Sequence, residues 1–171
     1  MRTFTARIEG AQLSAEQLIS QLRRDPNSLS PRHIAGFHTP DGEPARNMGP
    51  GGEYVVEIPG PWNGPVRVDA VDDTSITLIT LDGHMEAGHI RFAATDDRSG
   101  RVDVFQIRSW ARAGDPLFEH LHLAAGIGRE AQTAMWVHTC DRAIHESGGR
   151  RSGPIDVDTE ILEGSDPSHD S

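Results

Sequence analysis

The longest helical pattern in the chain runs from Asp115 to about His145 and constrains everything around it. Asp115 suits an N-cap, and Pro116 suits the first helical position, where its missing N–H costs nothing. The pattern stops before Gly148 and Gly149, and glycine commonly ends helices. Because a helix of this length can cover a whole sheet, we expect the rest of the chain to form strands that pack on it.

The face of this helix that we predict to be inward has small residues in its middle. On a helical wheel the inward positions are Leu117, Leu121, Ala124, Gly128, Ala131, Met135 and Thr139. Between Leu121 and Met135 these side chains are only Ala or Gly. Either the helix lies very close to its sheet, or a space remains for a ligand in an apolar pocket.

The chain before this helix has the pattern of short antiparallel strands. Residues 2–9 alternate, with Phe4, Ala6 and Ile8 on one face. Five further β-rich segments, separated by turns that contain Gly, Pro or Asp, are residues 53–58, 66–71, 75–81, 89–95 and 102–110. After the first strand, Ser14 and Gln17 form a capping box that predicts a short helix. About six antiparallel strands, a short helical section and a long final helix describe an α+β, helix-grip fold.

The connection from residue 25 to residue 52 is rich in Pro and Gly, so we expect no regular element longer than one turn around Pro31 to Phe37. Its His33, Phe37 and His38 leave two interpretations open. They form a lid over a pocket, or the segment is a surface excursion packed by Phe37.

Three motifs resemble a known bacterial family. They are Gly60-Pro61-Trp62-Asn63-Gly64-Pro65-Val66-Arg67-Val68, Gly83-His84-Met85-Glu86-Ala87-Gly88 and Ser109-Trp110-Ala111-Arg112-Ala113-Gly114-Asp115. From about Gly52 to Gly149 the chain resembles the family catalogued as domain of unknown function 1990, related to the polyketide-cyclase and START-like superfamily. The resemblance implies a curved antiparallel sheet wrapped around the C-terminal helix, with an apolar cavity between them. It implies no established reaction.

Two groups of side chains are candidates for a site in such a cavity. His84 and Glu86 flank Met85 before a strand, so in strand geometry they project on the same side. A carboxylate beside an imidazole in an apolar cavity can act as acid or base, although Glu86 can equally pair within a turn while His84 closes the hairpin. The candidate ligand-binding residues are Trp62, Trp110, His120, Leu121, Ala124, Gly128 and Met135.

Metal and cofactor chemistry has little support in the sequence. His120 and His122 diverge by about 200° on a helix, too far to share an ion. His138, Asp141 and His145 share a helix face, but a solvated last turn that carries cations accounts for them more simply. No lysine occurs, which removes Schiff-base and phosphate-loop chemistry, and Cys140 has no neighbour that would hold it as a thiolate. We therefore predict no metal and no cofactor.

Net charge limits the kinds of partner that the protein can bind, and cysteine content indicates its location. A formal net charge of -10 disfavours nucleic acid and anionic membranes, because both require a basic face. The single cysteine and the absence of an apolar leader favour a cytoplasmic protein. The expected partner is a small hydrophobic molecule, and a second copy of the chain is kept as a candidate.

The composition changes near Gly149. We expect one domain over residues 1–149 and an acidic, mostly disordered tail over residues 150–171, in which Ile155, Val157, Ile161 and Leu162 alone suggest an edge strand or a docking segment. Two main function classes remain for the domain. It binds and carries a small apolar or aromatic molecule, or it is a cofactor-independent enzyme of secondary metabolism that uses Glu86 and His84 for a cyclisation, dehydration or isomerisation. A third class, a structural protein without a ligand, would apply if the helix packs tightly on the sheet.

Overall fold

The computed structural model describes residues 1–30, 36–57, 63–81, 88–111 and 125–160. Among these residues the strands are β1 (Arg2–Glu9), β2 (Gly36–His38), β3 (Glu53–Glu57), β4 (Asn63–Asp72), β5 (Ser75–Thr80), β6 (Gly88–Asp96), β7 (Val102–Ala111), β8 (Arg150–Arg151) and β9 (Asp156–Thr159). The α-helices are α1 (Ala15–Arg24) and α2 (Ala125–Glu146), and a 3-10 turn at Pro26–Ser28 follows α1.

The nine described strands form one antiparallel sheet in the order β2-β3-β4-β5-β6-β7-β1-β8, with β9 also paired to β1. From β3 to β7 each strand pairs with its neighbour in sequence, as short turns between antiparallel strands allow. The five predicted β-rich segments all contain strands of this sheet. The protein is therefore an α+β protein built on a large antiparallel sheet.

The first two elements form as their sequence predicts. Phe4, Ala6 and Ile8 of β1 are buried, which confirms the alternation. At the start of α1, Ser14 Oγ accepts from the Gln17 backbone N–H at 3.2 Å, and the Ser14 backbone N–H donates to Gln17 Oε1 at 2.9 Å. This reciprocal capping box confirms the predicted start of the short helix.

Both helices lie on the same face of the sheet. Phe92 of β6 meets Trp136 of α2, and Gln21 of α1 donates to Glu146 of α2 at 2.6 Å. The core between helices and sheet includes the completely buried Phe4 and Phe105. Burial of each such side chain stabilises the fold by about 1.5–3 kcal/mol relative to exposure.

Helix α2 ends where the glycine pair predicts. Its last residue is Glu146, and Gly148 follows with a φ of 76°, a left-handed conformation that favours glycine. The predicted N-cap at Asp115 and N1 position at Pro116 lie outside the described residues.

The connection after α1 contains one strand that its sequence does not predict, β2. The Asn27 side chain holds Phe37 in this strand, since its amide donates to the Phe37 carbonyl at 2.9 Å and its Oδ1 accepts from the Phe37 N–H at 2.7 Å. Phe37 is buried and joins the core. Of the other two residues considered for a lid, His38 lies in β2 and His33 lies outside the described residues.

The expectation of a mostly disordered tail does not hold for residues 150–160, where the edge strand suggested by Val157 forms as β9. β8 pairs with Ile8 and Glu9, and β9 pairs with residues 2–5 of β1. The physical reason is that β1 would otherwise leave an edge of unpaired backbone groups, and the chain after α2 covers that edge. Ile155, between the two strands, packs partly buried against the core. The domain therefore extends to residue 160, and residues 161–171 lie outside the described part of the chain.

Candidate functional site between the sheet and helix α2

A small apolar cavity lies where α1, α2 and the sheet meet. Its volume is about 10 Å³, near the lower limit for one water molecule. The side chains that matter for its chemistry are Leu22, Phe37, Phe92, Met135, Trp136 and Thr139. This cavity is much smaller than a pocket of drug-molecule size, which is typically about 300–1,000 Å³.

Trp136 carries the most informative polar atom of this cavity. The residue is 4% exposed, and its ring meets Phe92 edge to face, with ring centroids 5.7 Å apart and an interplanar angle of 67°. Its Nε1 is buried and has no hydrogen-bond partner among the described residues. Because a buried indole N–H usually finds an acceptor, this orphan donor needs an explanation.

Thr139 supplies a second polar atom on the same helix. Its hydroxyl donates to the Met135 carbonyl at 2.9 Å, one turn earlier, so the hydrogen is already used within α2. The oxygen keeps the capacity to accept a hydrogen bond. The residues that line the cavity are therefore mainly apolar, and those with a polar side-chain atom are Trp136 and Thr139 on α2 and Ser30.

Of the predicted ligand-binding residues, Met135 lines this cavity and is 2% exposed. Gly128 lies in α2, and its role as a ligand-binding residue stays a prediction. The other predicted residues on the helix and loops, Trp62, His84, Glu86, His120, Leu121 and Ala124, lie outside the described residues. Their roles stay predictions.

Trp110 does not belong to this site. Along β7, Phe105, Ile107 and Ser109 are buried on the side of the core, so Trp110 points to the opposite face of the sheet. There it stacks on His89, with ring centroids 4.3 Å apart. The sequence analysis predicts Trp110 as a ligand-binding residue of the cavity, but the alternation of side chains along the strand places it on the other face.

The buried face of α2 is wider than the helical wheel predicts. Met135 and Thr139 are buried as expected, and so are Trp136, Cys140 and Ala143. Trp136 is not among the inward positions of the wheel, although its spacing of four residues to Cys140 and seven to Ala143 is itself a core pattern. That spacing is the signal that identifies Trp136 as a residue of the site.

Nucleophilic and metal chemistry gains no support from the described residues. Cys140 is completely buried, and desolvation raises the pKa of its thiol to about 12, so it is not a thiolate at neutral pH. In the described part of the chain no group of three or more His, Cys, Asp or Glu side chains is placed to hold a metal ion. Asp141, from the predicted helix-face triplet, accepts a hydrogen bond from Arg151.

The described helices contain no segment long and apolar enough to cross a membrane.

Comparison with known proteins gives a family and a similarity to a solved structure. A family model described as "Domain of unknown function (DUF1990)" matches residues 33–142. The crystal structure of protein Ms6760 from Mycobacterium smegmatis is similar at 15% sequence identity and a TM-score of 0.49, covering 84% of this chain and 88% of that one. No curated protein matches the sequence.

Proposed function

We propose that the chain, which belongs to the DUF1990 family, binds a small apolar or aromatic molecule between its sheet and helix α2, in a helix-grip arrangement of the START-like kind. The observation that carries the proposal is the buried Nε1 of Trp136, which has no acceptor among the described residues. A buried donor without a partner costs about 1–3 kcal/mol. A ligand that brings an acceptor to this atom would recover that free energy on binding.

The size of the cavity restricts how such a ligand lies. At about 10 Å³ the space admits only the polar end of a molecule. A carbonyl or hydroxyl oxygen of the ligand would therefore accept a hydrogen bond from Trp136 Nε1. The apolar body would lie along α2 towards the small residues predicted to face inward, Gly128 and Ala131.

The enzyme alternative rests on Glu86 and His84, and no described contact favours it. It stays a prediction, as do the cytoplasmic location and a second copy of the chain as partner.

Native mass spectrometry of the purified full chain tests the binding proposal. We expect a small-molecule adduct on the wild-type protein that is lost on denaturation. Trp136→Phe keeps an aromatic ring but removes the N–H, so it should reduce the fraction of protein that carries the adduct. Tyr54→Phe is the matched control, because it removes a polar group from another buried aromatic side chain outside the cavity. An absent adduct, or equal adduct fractions in both variants, would contradict the proposal.

A further inference from the structure

The face of the sheet turned away from the helices carries two arginines directly opposite each other. Arg91 of β6 pairs in register with Arg108 of β7, and both side chains are half-buried. Phe92 and Ile107, their neighbours in sequence, point to the core. Like charges at directly opposite positions on antiparallel strands destabilise the pair, so this arrangement needs a compensating partner.

Among the described residues Asp72 compensates Arg91 in part, through Ser75, and Arg108 has no comparable partner. Arg91 Nη2 donates to Ser75 Oγ at 3.2 Å, and that hydroxyl in turn donates to Asp72 Oδ2 at 2.7 Å. Arg108 Nε is buried and has no hydrogen-bond partner within the described ranges. The ion pairs that the structure describes use other arginines, namely Arg7, Arg46, Arg142, Arg150 and Arg151. Neither central arginine has a carboxylate in contact among the described side chains.

An aromatic pair lies next to the two arginines on the same face. His89 and Trp110 are the register partners two residues along β6 and β7, and their rings stack with centroids 4.3 Å apart and an interplanar angle of 23°. Both rings are half-buried, so part of each is accessible. Two guanidinium groups and a stacked aromatic pair thus occupy neighbouring positions on the two central strands.

We propose that Arg91, Arg108, His89 and Trp110 form a binding site for a small organic anion whose carboxylate is attached to a flat apolar ring. The guanidinium fork matches the two oxygens of a carboxylate, and a single carboxylate neutralises part of the repulsion between the two arginines. The flat ring of the ligand contacts the accessible part of the His89–Trp110 pair. In a chain of net charge -10, the positive charge that attracts the anion is local to this patch.

This site is independent of the proposed function, because it lies on the opposite face of the sheet from Trp136. Benzoate is a suitable probe, and binding is measured on the full chain from the indole N–H signal of Trp110 in ¹H–¹⁵N NMR spectra. Trp110→Phe assigns that signal. We expect a saturable shift of the Trp110 signal, with weaker binding at high salt because the contacts are ionic and partly exposed.

Substitutions separate a specific site from a general effect of charge. Arg108→Gln should weaken benzoate binding about tenfold, since a hydrogen bond to a charged group is lost. Arg108→Lys, which keeps the charge but loses the fork, should fall between Gln and wild type. If Arg108→Gln does not fold, Arg91→Gln is the test variant, and it should also weaken benzoate binding. Arg98→Gln, an equal change of charge at an exposed position in the turn between β6 and β7, should leave the affinity unchanged.

Three results would contradict the proposed site. The first is a Trp110 indole shift that does not saturate with benzoate, and the second is an equal loss of benzoate affinity in Arg98→Gln and Arg108→Gln. The third is a benzoate-induced shift of the Trp136 indole signal with none at Trp110. The last result would place the probe in the cavity under α2. Acetate should bind more weakly than benzoate, and equal affinity of the two would show that the aromatic pair contributes nothing.

Discussion

Phe92 on β6 and Trp136 on α2 meet edge to face, with their ring centroids 5.7 Å apart. This contact joins the centre of the sheet to the middle of the described helix. Both side chains also line the small cavity, so the same contact that holds α2 on the sheet forms a wall of the candidate site.

The first prediction concerns this aromatic pair. In a double-mutant cycle with Phe92→Leu and Trp136→Leu, we expect a coupling free energy of about 0.5–1.5 kcal/mol, the usual value for an aromatic pair beyond its buried area. Urea denaturation of the four proteins measures it. As a control, Ser14→Ala removes the cap of α1 and should combine additively with Trp136→Leu, within about 0.5 kcal/mol. A coupling near zero for Phe92 and Trp136 would show that the two rings stabilise the protein independently.

The second prediction concerns Gly149, which lies between α2 and β8. A Cβ at this position would lie 2.6 Å from Ile8 Cγ2 and 2.8 Å from the Glu9 carbonyl oxygen. Because one of these atoms belongs to the backbone of β1, Gly149→Ala must push β8 away from its partner strand. We expect a loss of about 1–3 kcal/mol in the free energy of unfolding, the usual cost of overpacking, measured by urea denaturation.

Gly49→Ala is the matched control for this substitution. At Gly49 the nearest atom to an added Cβ is the Asn47 carbonyl oxygen at 4.0 Å, and its φ is outside the left-handed region. Alanine should therefore be tolerated there with little change in stability. If Gly149→Ala is as stable as Gly49→Ala, the close approach of residue 149 to β1 does not constrain the fold.

The third prediction concerns the pH dependence of the turn at Asp72. A hydrogen bond from the Ser75 hydroxyl, followed by one from the Thr74 backbone N–H and by the charge of Arg91, lowers the pKa of the Asp72 carboxyl. A carboxyl whose pKa is lower in the folded state adds stability above its unfolded pKa, and this stability is lost as the pH falls through the folded value. Ser75→Ala should therefore raise the pKa of Asp72 towards its ordinary value, as followed by NMR titration of the carboxyl carbon.

Thr74→Val provides the comparison for Ser75→Ala. The Thr74 backbone N–H still donates to Asp72 Oδ1 at 2.9 Å in that variant, and only a long contact of 3.5 Å from its hydroxyl is lost. The Asp72 pKa should move less than in Ser75→Ala. A larger shift in Thr74→Val would mean that the Ser75 hydroxyl is not the main cause.

The local parts of the fold follow from local patterns. The alternation of Phe4, Ala6 and Ile8, the capping box of Ser14 and Gln17, and the stop before Gly148 each depend on side chains close in sequence. The structure agrees with all three. The family was also identifiable from short motifs, and a family match over residues 33–142 confirms it.

The candidate site was predictable only in part. Met135 follows from the helical wheel, and Trp136 could have been found from its spacing to Cys140 and Ala143. Phe37 was considered only as part of a lid or as the residue that packs a surface excursion. Its place in β2 could not be predicted, because its backbone is bonded by the side chain of Asn27, ten residues earlier.

The sequence by itself determined β1, the strand segments from β3 to β7, and where α1 begins and α2 ends, because hydrophobic period and capping act within one element. It did not determine β2, β8 or β9. Only the tertiary structure decided which elements meet. It brought Arg91 and Arg108 into register and paired residues 150–160 with β1. These relationships depend on strand order and register, which join residues far apart in the chain and leave no periodic signal in either partner.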